Sequence, residues 1–82
     1  MTTESVTWFD MAIRRRLLRA GYTSQTLSRR MGHDERWYGK TIARWKKRGD
    51  IFVRTASDIE TAVADLEYER RRENERRRGG VD

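Results

Sequence analysis

The 82-residue chain contains no cysteine and no proline. Without cysteine there is no disulfide framework and no thiolate metal site. Histidine occurs once, as His33, with no partner at metal-ligand spacing, so a solvated turn residue is expected there. The same scarcity excludes a nucleophilic triad built on a second histidine or a cysteine. Aspartate and glutamate never gather at metal-binding spacing, and no glycine-rich phosphate loop follows a strand. The expectation is a non-enzymatic protein with no cofactor and no metal. Long apolar runs are missing as well. The segment MTTESVTWFD lacks the basic stretch and apolar run of a secretory signal, and no run approaches the length of a membrane span. A soluble intracellular protein is the resulting expectation. No stretch alternates apolar and polar residues long enough to build a sheet. The length allows one small domain with a thin core and leaves no room for a separate ligand-sensing domain, so no small-molecule ligand is expected.

What the chain does have is charge, unevenly placed. Lysine and arginine number 19 against 13 aspartates and glutamates, a net +6. Residues 1–50 carry 12 basic and 5 acidic side chains, whereas residues 51–82 carry 7 basic and 8 acidic ones. The positive balance therefore sits in the first part of the chain, where it can attract a polyanion. The arginine-rich run near the end is largely neutralised by its own glutamates. Arginine outnumbers lysine 16 to 3, a bias that a GC-rich genome also produces.

Apolar spacing and caps divide the chain into helices. Thr7 followed by Asp10 reads as a capping box, and Phe9, Ile13 and Leu17, flanked by Ala12 and Leu18, form one helical stripe. Gly21 reads as its stop. Thr23 is a good N-cap for a short second helix in which Leu27 and Met31 face one way, and Gly32 permits the left-handed turn that ends it. The run HDERWYG reads as a turn or a loose first turn, because Gly39 weakens a helix through it. From Lys40, KTIARWKKRGD is helical in pattern. Ile42 and Trp45 face inward, with Trp37 also available to the core, and Gly49 is the stop. Ile51, Phe52 and Val53 are expected to form a short extended linker. Ser57 with Glu60 is a second capping box, and Ile59, Val63 and Leu66 make the next apolar face. The helix is expected to continue into EYERRRENERRR, supported by pairs such as Glu67–Arg71 and Glu73–Arg77. With no apolar heptad that stretch is not a coiled coil, and residues 79–82 are expected to fray. The fold class is all-α, a compact domain of four to five helices over residues 7–66 with a charged helical tail over 67–82.

One constellation carries a functional reading. Residues 36–48 hold Arg36, Lys40, Arg44, Lys46, Lys47 and Arg48 with no acid, while Trp37, Ile42 and Trp45 are available to dock the helix. A helix apolar on one side and basic on the other suits docking into the major groove of DNA behind a helix that lies across the phosphates. The runs TSQTLSRRMG and TIARWKKRG resemble the phage repressor/Cro-type (lambda repressor-like) helix-turn-helix family of bacterial and bacteriophage transcription regulators. Thr23, Leu27, Ser28, Gly32, Ile42 and Trp45 stand in that family's roles of N-cap, core leucine, small residue, turn glycine and recognition-helix core. The capped run SDIETAVADL is similar to the family's next helix, so the resemblance spans about residues 9–66. Between the two runs, HDERWY is longer than the family's tightest connection and lengthens either the turn or the start of the recognition helix.

The resemblance implies a sequence-specific binder of double-stranded DNA, a repressor- or Cro-like regulator of phage or mobile-element origin acting in the bacterial cytoplasm, with a homodimer compatible with the architecture. Groove and base contacts are expected from Tyr38, Lys40, Thr41 and Arg44, and phosphate contacts from Arg29, Arg30, Arg36, Lys46, Lys47 and Arg48. An excisionase-like architectural DNA binder is the nearest alternative. A protein-interaction module, such as an antitoxin or host inhibitor on the same scaffold, is the alternative of another class. Single-stranded RNA is disfavoured because no exposed aromatic platform is evident.

Overall fold

The structure, a computed structural model, describes residues 3–80, and its description of side chains runs from Glu4 to Arg78. Four helices occur in this span and no strand: α1 Thr3–Ala20, α2 Ser24–Arg30, α3 Trp37–Arg48 and α4 Val53–Gly80. The all-α expectation holds, with four helices. α1 packs on α3 and α4, and α2 packs on the same two partners.

α1 begins four residues before the Thr7 capping box. Val6 is the reason. It is fully buried, and together with Ile13 and Leu17 it extends the core stripe by a turn at the N-terminal end. Glu4 in the first turn suits the positive end of the helix dipole. Asp10 is not a cap; its carboxylate is turned towards α3. Phe9 packs half-buried against the core, whereas Ala12 and Leu18, which flank the stripe, are exposed. The chain leaves α1 through Gly21 and leaves α2 through Gly32, whose φ values of 81° and 84° lie in the left-handed region. At Gly32 the reversal is closed by Gly32 N–H donating to Arg29 O (2.9 Å) and His33 N–H donating to Ser28 O (3.0 Å). α2 starts as expected, with the Thr23 hydroxyl accepting from the Thr26 amide.

α4 also starts earlier than its capping box. The linker assigned to residues 51–53 shrinks to Ile51 and Phe52, Ala56 N–H donates to Phe52 O (2.8 Å), and Ser57 lies inside the helix. A capping box is a local signal. Here Ala56 packs half-buried against the core, and that packing recruits the turn before Ser57. Ile59, Val63 and Leu66 are fully buried and close the core formed by Val6, Ile13 and Leu17 of α1, Leu27 of α2, and Tyr38, Ile42 and Trp45 of α3.

Beyond Leu66 the helix continues without a break through Gly80, and Gly79 and Gly80, expected to fray, belong to it; Val81 and Asp82 lie outside the described residues. The turn formed by residues 67–70 grips the body. Arg16 donates twice to Glu67 (2.6 and 3.2 Å), Arg30 pairs with Glu69, and Arg70 Nε donates to Ala20 O (2.9 Å) while its guanidinium lies over the Tyr22 ring. The hydrogen bonds from Arg16 and Arg30 hold Glu67 and Glu69 below the ordinary glutamate value. The anchoring contacts thus reach four residues past the boundary drawn at Leu66.

Truncation reads this clasp directly. A chain ending at Arg70 is expected to melt with the full chain, and one ending at Leu66 to fold with a lower melting temperature, by roughly 4–8 °C for each kcal/mol lost. Because both glutamates have depressed values, their contribution is complete above the unfolded glutamate value of about 4.3 and is lost below it, as pH falls through the lower folded values. The gap between the two truncations should therefore narrow in acid, leaving the share that Arg70 contributes through Ala20 and Tyr22. Equal melting temperatures at pH 7, followed by calorimetry, would show that the clasp carries no stability.

Candidate nucleic-acid interface

The functional reading depends on how α3 is started and which side it shows. Gly39 argues locally against a helix here, and the N-cap residue Arg36 makes no side-chain capping bond. The missing cap comes from α2. Ser28, fully buried, accepts the Tyr38 amide on its hydroxyl oxygen (3.0 Å) and donates its own proton to Ser24 O (2.9 Å). One of the orphan donors in the first turn of α3 is thereby satisfied by a residue ten positions upstream. The connection itself is ordered: Asp34 accepts the Arg36 amide (2.7 Å), and His33 stacks on Trp37 at 4.1 Å between ring centroids.

The helix therefore begins at Trp37, three residues before Lys40, and this settles its register. Tyr38, Thr41, Ile42 and Trp45 follow the spacing of one buried face. Tyr38 is fully buried and Thr41 only 4% exposed. These two were expected to reach into the groove, and the structure removes both from the candidate contacts. Each is polar enough to suit a surface and apolar enough to pack, so only the helix start decides between the two. The Tyr38 hydroxyl donates to Asp10 of α1 (2.9 Å), and Arg14 donates to the same carboxylate oxygen (2.8 Å). Burial first, then the bond to Asp10, hold the Tyr38 pKa far above the ordinary phenol value. Trp45 is buried as expected, with its ring 5.8 Å from that of Phe9.

The opposite side of α3 is exposed and cationic. Lys40, Arg44 and Lys47 share it, Arg36 extends it at the N-terminal end, and α3 contains no acid. None of these four side chains forms an ion pair among the described residues. The remaining expected phosphate contacts stand differently. Arg29 is paired with Glu35 (2.6 Å), Arg30 with Glu69, and Arg48 lies 5.9 Å from the centre of the Phe52 ring; Lys46 is exposed at the edge of the face. Among the cations sits Gly39, where an added Cβ would meet nothing within 4 Å. No internal contact requires that glycine, and it costs the helix about 1 kcal/mol relative to alanine. With Ala43 one turn later, it leaves the backbone open to close approach between the cations. Among the described residues no three His, Asp or Glu side chains converge as metal ligands would.

Sequence reasoning located the cationic helix but missed Ser28 as its cap, and no local pattern announces a cap supplied across ten residues. Comparison with family models, with curated proteins and with solved structures finds no match.

Two substitutions probe the anchoring of α3. Ser28→Ala leaves the Tyr38 amide buried without an acceptor and is expected to cost about 1–3 kcal/mol, read by denaturant unfolding; an unchanged midpoint would deny the cap any importance. Tyr38→Phe probes the hydroxyl. Because the folded value is raised, its contribution is complete below the unfolded phenol value of about 10 and is lost as pH rises beyond it. The wild-type chain should lose stability more steeply than Tyr38→Phe above that pH.

Proposed function

We propose that this chain is a double-stranded DNA-binding regulator, with the outer face of α3 in the major groove and α2 behind it along the phosphates. The observation that carries the reading is the cationic outer face of α3, on which Lys40, Arg44 and Lys47 form no ion pair among the described residues. Lys40, Arg44 and Lys47 point away from the core on a helix held rigidly by Ser28 and Tyr38, with small residues between them. Cations that were mainly stabilising the fold would be paired with the chain's many acids, as Arg16, Arg29 and Arg30 are. A groove-reading helix needs a fixed platform, donors for phosphates and base edges, and room for the duplex. The likeness of TSQTLSRRMG and TIARWKKRG to repressor- and Cro-type regulators supports the same assignment, as binding rather than catalysis in the cytoplasm of a bacterial host. Lys40 and Arg44 are the proposed base-reading residues, and Arg36, Lys46, Lys47 and Arg48 the proposed phosphate contacts. Arg29 and Arg30 contribute only if DNA displaces their glutamates.

Titration of a labelled duplex at several salt concentrations tests this. Each neutralised phosphate adds about 0.9 to the slope of log affinity against log salt. Lys47→Ala should lower the slope by about one unit on every sequence, whereas Arg44→Ala should cost about 1–3 kcal/mol on a preferred site if it reads a guanine. Gly39→Gln should raise the melting temperature, since nothing crowds the position, and at the same time weaken binding. Affinity indifferent to salt and to all three substitutions would remove DNA as the ligand of this face.

A further inference from the structure

The outer side of α1 carries a second surface that the DNA reading does not use. Trp8 is 63% exposed, Met11 46% and Leu18 77%. Scattered apolar residues on a surface are ordinary, but these three share one side of one helix, at spacings of three and seven. Ala12 and Arg15 lie among them, Glu4 stands at one end and Arg19 at the other, all exposed. Glu4, Arg15 and Arg19 form no ion pair among the described residues. The buried side of α1, with Val6, Ile13 and Leu17, faces the core, so this stripe points away from it.

We propose that this face of α1 is a homodimer interface, occupied by the same face of a second copy in antiparallel register. The order of residues along the stripe is self-complementary. A two-fold axis between Met11 and Ala12 sets residue i of one copy opposite residue 23 − i of the other, because antiparallel partners sum to a constant. Glu4 then meets Arg19 of the second copy, twice by symmetry. Trp8 meets Arg15, a cation over an indole face. Met11 meets Ala12, whose small side chain lets the helices approach. Leu18 falls one turn from Arg15, beside the Trp8 of the second copy. Parallel pairing would instead set Glu4 against Glu4, Arg15 against Arg15 and Arg19 against Arg19. Charge complementarity thus selects both the occupant and the direction. α3 packs against the buried side of α1, so pairing through the outer side leaves the cationic face of α3 uncovered on both copies. The pairing needs no DNA and is tested without it, so its failure leaves the DNA reading untouched.

Sedimentation equilibrium of the full chain should give a mass near twice 9.8 kDa. Trp8→Gln with Leu18→Gln changes only exposed side chains, so helicity by circular dichroism should be retained while the dimer weakens by roughly tenfold or more. Glu4→Arg and Arg19→Glu should each weaken the dimer, and the two together should restore it, since the swapped charges again face one another. A wild-type chain that stays monomeric at every concentration overturns the proposal. So does a dimer indifferent to Trp8→Gln with Leu18→Gln, or a double charge swap no better than its single parts.

Discussion

A single buried hydroxyl fixes the relation between α2 and α3. Ser28 is fully buried, and it satisfies two backbone groups at once, an amide at the start of α3 and a carbonyl at the start of α2. A hydrogen bond in a water-free site is costly to lose, because neither partner has an alternative. The bond therefore holds the beginning of α3 at a set position although Gly39 and an uncapped Arg36 would let it unravel. Once that first turn is in place, Tyr38 enters the core, its hydroxyl reaches Asp10, and the rotation of α3 about its axis is decided. The cationic side faces solvent as a consequence of the same bond.

The electrostatics follow the same economy. Among the described residues, no ion pair joins an acid of α4 to Lys40, Arg44 or Lys47. Glu67 and Glu69 turn onto Arg16 and Arg30, which belong to α1 and α2. Exposed pairs of this kind contribute little stability individually, but they draw the negative charge of α4 towards the far elements. The positive balance of residues 1–50 is thus carried largely by α3, where among the described residues no acid pairs with Lys40, Arg44 or Lys47.

The sequence made the interior legible where spacing and chemistry agreed. Ile13, Leu17, Leu27, Ile42, Trp45, Ile59, Val63 and Leu66 were all readable as core from periodicity alone, and Gly21, Gly32 and Gly49 as stops. Helix starts were less legible. Thr7 and Ser57 carry good capping chemistry, yet both helices begin four residues earlier, because burial of Val6 and packing of Ala56 outweigh a local cap. The candidate interface was half legible for a related reason. Lys40, Arg44 and Lys47 are polar in any register, so they could be assigned without knowing where α3 begins. Tyr38 and Thr41 suit either side of a helix, and only the contact with Ser28 decides against the solvent.

The core is closed by the last helix. Ile59, Val63 and Leu66 complete an interior begun by Val6, and the clasp from Arg16 to Glu67 spans 51 residues of chain. In terms of synthesis, this orders events in time. The first three helices emerge from the ribosome with their apolar sides uncovered, and no domain boundary lets them finish early. The cations of α3 exist long before the interior that sets their direction does. The fold closes once Ile59, Val63 and Leu66 are available, and the turn holding Arg70 then adds its clasp onto the end of α1. A ribosome stalled before Ile59 would hold three helices with net positive charge and no interior to close.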